Sequence, residues 1–261
     1  MPVLSEIDKR LATEGKLQYH LKMKRGDVGR YVLLPGDRAR VPMMSAYLDH
    51  PREVGNNREY VAHTGTHKGT KVTVMSTGMG CPAAAIAVEE LANIGARVFI
   101  RTGSTGALQK PIDLGDLIIA SGAVKNEGTS KMYEPDEFPA IPSYRVLNSL
   151  VVAAESLKGR LRFNFHVGIV SSDDAFYAET PEFIGRMTTL GALGLDMESS
   201  AIFVVSRARD LESGSILSAS ENFARKSIVP EKVPDALRQG WLKETQVALK
   251  AIEMLEGSGS D

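Results

Sequence analysis

The residues best equipped for chemistry stand in one stretch, RVFIRTGSTGALQ at 97–109. A short apolar strand (Val98, Phe99, Ile100) leads into Arg101, and Gly103 and Gly106 then bracket Ser104 and Thr105. Glycines allow positive φ and turn backbone N–H groups toward a common point, which makes a nest for an anion. Arg101 adds a planar donor fork suited to phosphate or carboxylate oxygens, and the hydroxyls add short donors. The stretch reads as an oxyanion cradle at the carboxyl end of a strand, against the plainer reading of a tight turn with a surface arginine. A second junction, Pro35-Gly36-Asp37, follows the apolar run 31–34. There Gly36 permits close backbone approach and a helix start adds partial positive charge. Arg40 in the first turn opposes the helix dipole, a hint of another use against the alternative of a solvated side chain.

Carboxylates form the next group. Asp196 and Glu198 flank Met197 at the end of an apolar segment, where a buried carboxylate needs partners. Vicinal sugar hydroxyls are good ones, because two O–H donors fill its acceptors. Glu221 closes the last strand, and Phe176 with Tyr177 lies beyond another, placed to stack on a planar ligand or to cap the core. His63 and His67 have the spacing of a helical zinc pair but lie in a Gly/Thr-rich segment read as a turn, so no metal is expected. Gly78, Gly80 and Ala83 match a dinucleotide fingerprint, yet the acid due about 20 residues later is missing, and Arg101 stands there instead.

The elements that must position these groups alternate. Strands are expected at 31–34, 58–60 and 71–76 (the latter two joined by the turn HTGTHKG), 98–100, 116–124, 163–170, 192–197 and 215–220. Helices are expected at 38–48, 84–91, 145–157, 181–190 with Thr180 as cap, 199–209, and 234–255 carrying Trp241. With no internal repeat or linker, the reading is one α/β domain over residues 1–255 and a flexible tail at 256–261. At 43% hydrophobic residues and a net charge of -1, the 261-residue chain can build a full core but offers no general field for nucleic acid or an anionic membrane. One cysteine, Cys81, excludes an intrachain disulfide, and no apolar run approaches the roughly 20 residues of a membrane span. A cytoplasmic protein is expected.

Taken together, PGDRARV, NREY, STGMGCP, IRTGSTGALQ, EGTSKMY, EFPA, SSDDAFY and DMESSAIF stand in the order found in nucleoside phosphorylases of the hexameric class. The chain resembles that family over roughly residues 16–255, and LQYHLKMKRGDVGRYVLLPGD is most similar to its uridine phosphorylase branch. The resemblance implies a single three-layer α/β/α domain with a mixed, barrel-like central sheet. It implies attack of inorganic phosphate, the co-substrate, on C1′ of a nucleoside, giving ribose 1-phosphate and free base with no cofactor. Sites shared across a homodimer are implied too, with a trimer of dimers as the assembly.

On matching positions, the family's phosphate group falls on Gly36, Arg40, Arg101 and Ser104, with Arg58 reaching in from the neighbouring subunit. Ribose falls to Met197 and Glu198, with His20 from the partner closing over the 5′ end. The base falls to Thr105, Gly106 and Phe176. Two departures bear on specificity. The glutamine and arginine with which uridine phosphorylases read uracil are replaced by AETPEF (Ala178, Glu179, Thr180, Glu182), closer to methylthioadenosine and purine nucleoside phosphorylases. Glu221 stands where those enzymes keep an aspartate that protonates the base, so it is a candidate catalytic acid beside Arg101 and Glu198. Asp196 shortens the first acid of the family's E-M-E motif. Glu59 matches one ligand of a monovalent cation bound in some relatives, but Ala83 replaces the other, so no ion is expected. A phosphate-independent nucleosidase and a non-catalytic nucleoside sensor are the alternatives. Retention of Arg40, Arg58 and Arg101 weighs against the first, and the full phosphate and ribose set against the second.

Overall fold

A computed structural model describes residues 16–225 and 233–257. Its elements are β1 (Tyr31–Leu34), α1 (Arg40–Ser45), β2 (Asp49–Asn57), β3 (Tyr60–His67), β4 (Thr70–Met75), α2 (Cys81–Asn93), β5 (Val98–Ala107) and β6 (Leu117–Asn126). Then follow α3 (Tyr144–Leu161), β7 (Phe165–Asp173), α4 (Pro181–Thr189), β8 (Gly194–Asp196), α5 (Ser199–Ala208), β9 (Glu212–Asn222) and α6 (Asp235–Gly257). The strands join in the order β2-β3-β4-β1-β5-β8-β7-β6-β9, and β9 pairs back onto β5. The last five strands therefore close a ring, with β1 to β4 as an open wing. This is the mixed, barrel-like sheet between helices that the resemblance implies.

Strand alternation divides the core between the two faces. Tyr31 and Leu33 of β1 and Val98 and Ile100 of β5 join a cluster under α3 and α6, while Val32, Leu34 and Phe99 face α2. Both faces are covered, so these strands read as continuous apolar runs. On α3, Val146, Leu150, Ala153, Ala154 and Leu157 recur at helical spacing. They pack with Val247, Ala248, Ala251, Ile252 and Leu255 of α6. Among the described residues no helix is long and apolar enough to cross a membrane.

Three local expectations need correction. The glycine-rich segment after Ile100 is not a turn, because β5 runs on to Ala107 and neither Gly103 nor Gly106 takes positive φ. Glycine is needed there for space. A Cβ on Gly103 would fall 2.7 Å from Leu217 and 2.8 Å from the guanidinium carbon of Arg101. One on Gly106 would fall 2.4 Å from the Phe223 ring. HTGTHKG likewise is mostly strand, since β3 reaches His67 and turns only at Lys68-Gly69. Its histidines diverge: His63 bonds Ser45 Oγ at 2.8 Å and His67 pairs with Glu253 at 2.9 Å, so the poor metal reading gives way to two separate polar contacts. Finally, α1 spans 40–45 rather than 38–48, because Asp37 accepts from the Ala39 N–H and holds 37–39 in a turn. Thr180 caps α4 as expected, its Oγ1 accepting from Phe183 N at 3.2 Å. The N-terminal fifteen residues and 258–261, most of the expected tail, lie outside the described residues.

Candidate active site

The carboxyl ends of parallel β1, β5 and β9 meet at one side of the sheet, where open α/β architectures put their ligands. A cavity of about 540 Å³ opens there. One end holds Gly36, Arg40, Arg101 and Ser104, the expected phosphate set. Met197 and Glu198 line it between β8 and α5, and Thr105, Gly106, Phe176 and Glu221 line it toward the end of β9. Ten of the twelve residues singled out from sequence are thus lining residues of one hollow. The other two, Arg58 and His20, are not among its lining. Arg58 sits at the β2–β3 turn with φ 56°, and His20 Nδ1 is 2.6 Å from Glu90 Oε1.

Each arginine is held by a buried carboxylate. Arg101 Nη2 donates to Glu198 Oε2 at 2.5 Å and its Nη1 to the Leu34 carbonyl at 3.3 Å. Glu198 also accepts from the Gly80 N–H at 2.8 Å, and Gly80 can aim that amide because its φ is 96°. The fingerprint glycine thus holds the Glu198 carboxylate. Burial pushes the Glu198 carboxyl upward, while Arg101 and the amide pull it back. Arg40 donates to Glu244 of α6 and lies over the Trp241 ring, 4.7 Å from its centroid. Burial pushes the Arg40 guanidinium down and the Glu244 carboxyl up from their ordinary values, while the charge of each partner opposes the shift in the other. Arg40 Nε and Arg101 Nε are buried with no hydrogen-bond partner among the described residues, although Asp196 Oδ2 lies 3.9 Å from Arg101 Nε. Buried donors left unpaired cost about 1–3 kcal/mol each, a cost that an oxyanion would relieve.

The middle of the site is braced from behind. Asp196 accepts from Ser172 Oγ at 2.6 Å and from the Ser199 N–H and hydroxyl at 3.0 and 2.5 Å, tying β7, β8 and the start of α5 together. The shortened acid therefore has a full set of donors. The Thr105 hydroxyl donates to the Leu195 carbonyl at 2.7 Å, so Thr105 lends the cavity its position rather than a free donor. The Cys81 thiol donates to the Met197 carbonyl at 3.1 Å, and burial pushes it up, which makes it inert as a nucleophile. At the far end, burial with nearby Asp173 and Glu221 raises Glu179 to about 7.

A profile of the phosphorylase superfamily matches residues 30–253. The chain belongs to the phosphorylase superfamily. Guanosine phosphorylase of Halorubrum lacusprofundi is 37% identical over 242 residues, which span 91% of this chain and 99% of that protein. Uridine phosphorylase of Thermococcus kodakarensis is 43% identical over 227 residues, 82% of this chain and 80% of its own. The crystal structure of uridine phosphorylase from Vibrio fischeri matches with a TM-score of 0.85 at 35% identity, covering 93% of this chain and 99% of the other.

Reading this phosphorylase from sequence missed Trp241 and Phe223 as lining residues and Glu244 behind Arg40. A signal existed for Glu244: it interrupts the buried face of α6 between Leu237 and Ala248. Glu179 was visible only as a departure from the uracil-reading pattern.

Proposed function

We propose that this phosphorylase cleaves the N-glycosidic bond of a nucleoside with inorganic phosphate, releasing ribose 1-phosphate and the free base. The observation that carries this is the convergence of two buried arginines, Arg40 and Arg101, with Glu198 in one hollow that ends in aromatic and carboxylate groups. Arg40, Arg101, the backbone at Gly36 and the Ser104 hydroxyl seat the phosphate dianion beneath C1′. Glu198 grips the ribose hydroxyls, and its charge favours the flattened, cation-like sugar of the transition state. Met197 packs against the ring, and Phe176 with Gly106 and Thr105 shapes the base slot. Glu221 supplies a proton or hydrogen bond to the departing base. Reaction requires no covalent nucleophile from the protein and no cofactor.

Uridine is the first substrate to try, because proteins with that name match most of the chain. A purine reading has its own support. Glu179 and Glu221 both line the base end of the cavity, where carboxyl groups can exchange hydrogen bonds with a purine edge, and a relative named for guanosine aligns along nearly its whole length. We further infer one domain over residues 1–255, a place in nucleoside salvage in the cytoplasm, and a homodimer, three to a hexamer, in which the partner contributes Arg58 and His20. Base release from uridine, guanosine, inosine and adenosine, each with and without phosphate, tests the reaction. Release that ignores phosphate would replace phosphorolysis with hydrolysis, and binding without turnover would leave a sensor.

A further inference from the structure

The buried face of α6 is apolar but for Glu244 and Thr245, and the Thr245 hydroxyl is spent within the helix on the Trp241 carbonyl. Glu244 stands in that face with a side chain 0% exposed, opposite Arg40 at 4%. A buried ion pair is a poor device for stability, since a well-packed apolar pair is often as good or better. An acid in this stripe therefore calls for another reason. Glu244 Oε1 accepts from Arg40 Nη2, while Trp241, three residues earlier, lies across the same guanidinium. Residues three apart on a helix share a face, so one turn of α6 fixes Arg40 both edge-on and face-on. Trp241 Nε1 also donates to Ser104 Oγ at 2.9 Å. A hydroxyl has one proton and two lone pairs. With the indole N–H on a lone pair, the Ser104 proton is left for an acceptor in the cavity.

Resting on the phosphate reading of this end of the site, we propose that Trp241 and Glu244 are positioning residues that orient Arg40 and Ser104 and thereby set phosphate affinity. Neither is assigned contact with the sugar or base. A role confined to packing α6 would lower stability and disturb both substrates alike. A positioning role instead separates them.

The test is steady-state kinetics of Glu244→Gln, Trp241→Leu and Trp241→Phe, with each substrate varied in turn, beside phosphate binding by calorimetry. Expected are a rise of about tenfold or more in the KM and Kd for phosphate in Glu244→Gln and Trp241→Leu, with nucleoside KM within about twofold. Trp241→Phe keeps a ring over Arg40 but loses the N–H, so it should shift phosphate less, and its effect should vanish in a Ser104→Ala background. Should the first two variants fail to fold, Trp241→Phe with and without Ser104→Ala still decides. Unchanged phosphate affinity, or equal losses for both substrates, would overturn the inference. Phosphate-independent turnover by the unaltered protein would instead overturn the reaction on which it rests.

Discussion

At the scale of single residues, the two arginines are not equivalent in what they leave behind. Arg101→Ala strands Glu198 in a buried site with backbone amides but no counter-charge, so it should cost about 3–5 kcal/mol of stability as well as activity. Glu198→Gln can keep the Gly80 amide contact through its carbonyl oxygen but turns an NH2 toward the Arg101 guanidinium, which loses this acceptor and keeps the Leu34 carbonyl and Asp196 nearby. It should lower kcat by about a hundred- to thousandfold with a far smaller shift in melting temperature. Turnover and thermal melts on the two variants check the contrast. Glu179 is raised to about 7, so below that pH its carboxyl can donate one hydrogen bond and above it can only accept. Guanosine offers adjacent N–H donors at N1 and N2, whereas uracil flanks its single N–H with carbonyls. If guanosine is a substrate, its KM should fall as pH rises through about 7, and Glu179→Gln should flatten that dependence; a KM profile identical in the two proteins would remove Glu179 from base reading. Arg40, Arg101 and Glu198 were legible because each sits in a compact local motif. The partners of Glu244 and Trp241 were not, because they depend on a helix more than a hundred residues away folding back over α1.

At the scale of elements, strand and helix identities followed from apolar periodicity, while their ends were set by tertiary contacts. β9 runs from Glu212 to Asn222 rather than 215–220 because the long parallel ladder with β5 extends it in both directions. Apolar pattern cannot show that extension, since Ser213, Ser215 and Ser218 are buried despite their polarity. The same pairing explains the misread glycines: β5 needs thinness where Phe223 and Leu217 cross it, not freedom to turn. Gly106→Ala should therefore push on the Phe223 ring and raise nucleoside KM severalfold while phosphate KM holds, as initial-rate kinetics would show. Under the other face, Leu150→Ala would open a cavity between α3 and the strands and should cost about 2–5 kcal/mol by chemical denaturation.

At the scale of the whole molecule, one chain supplies a cavity with two of the three arginines that the family pattern brings together. Arg58 at the β2–β3 turn and His20 beside Glu90 belong, on our proposal, to the neighbouring subunit's cavity. Arg58→Ala and Glu198→Ala proteins, each inactive, should regain about a quarter of the parent activity when dissociated and remixed. That is the share expected when half the dimers are mixed and each holds one intact site of two. No recovery after demonstrated subunit exchange would make each site the property of a single chain.

The placement of Trp241 and Glu244 on α6 has a temporal consequence. As a chain emerges from the ribosome, β1, β5 and β8 can pair and fix Arg101 and Glu198 before the terminal helix exists. Arg40 would then wait without its counter-ion or its aromatic cover. On the proposed assignment, a nascent chain stalled ahead of residue 241 would own a seat for the sugar and an unfinished one for the anion, so the capacity to react arrives only with the last helix.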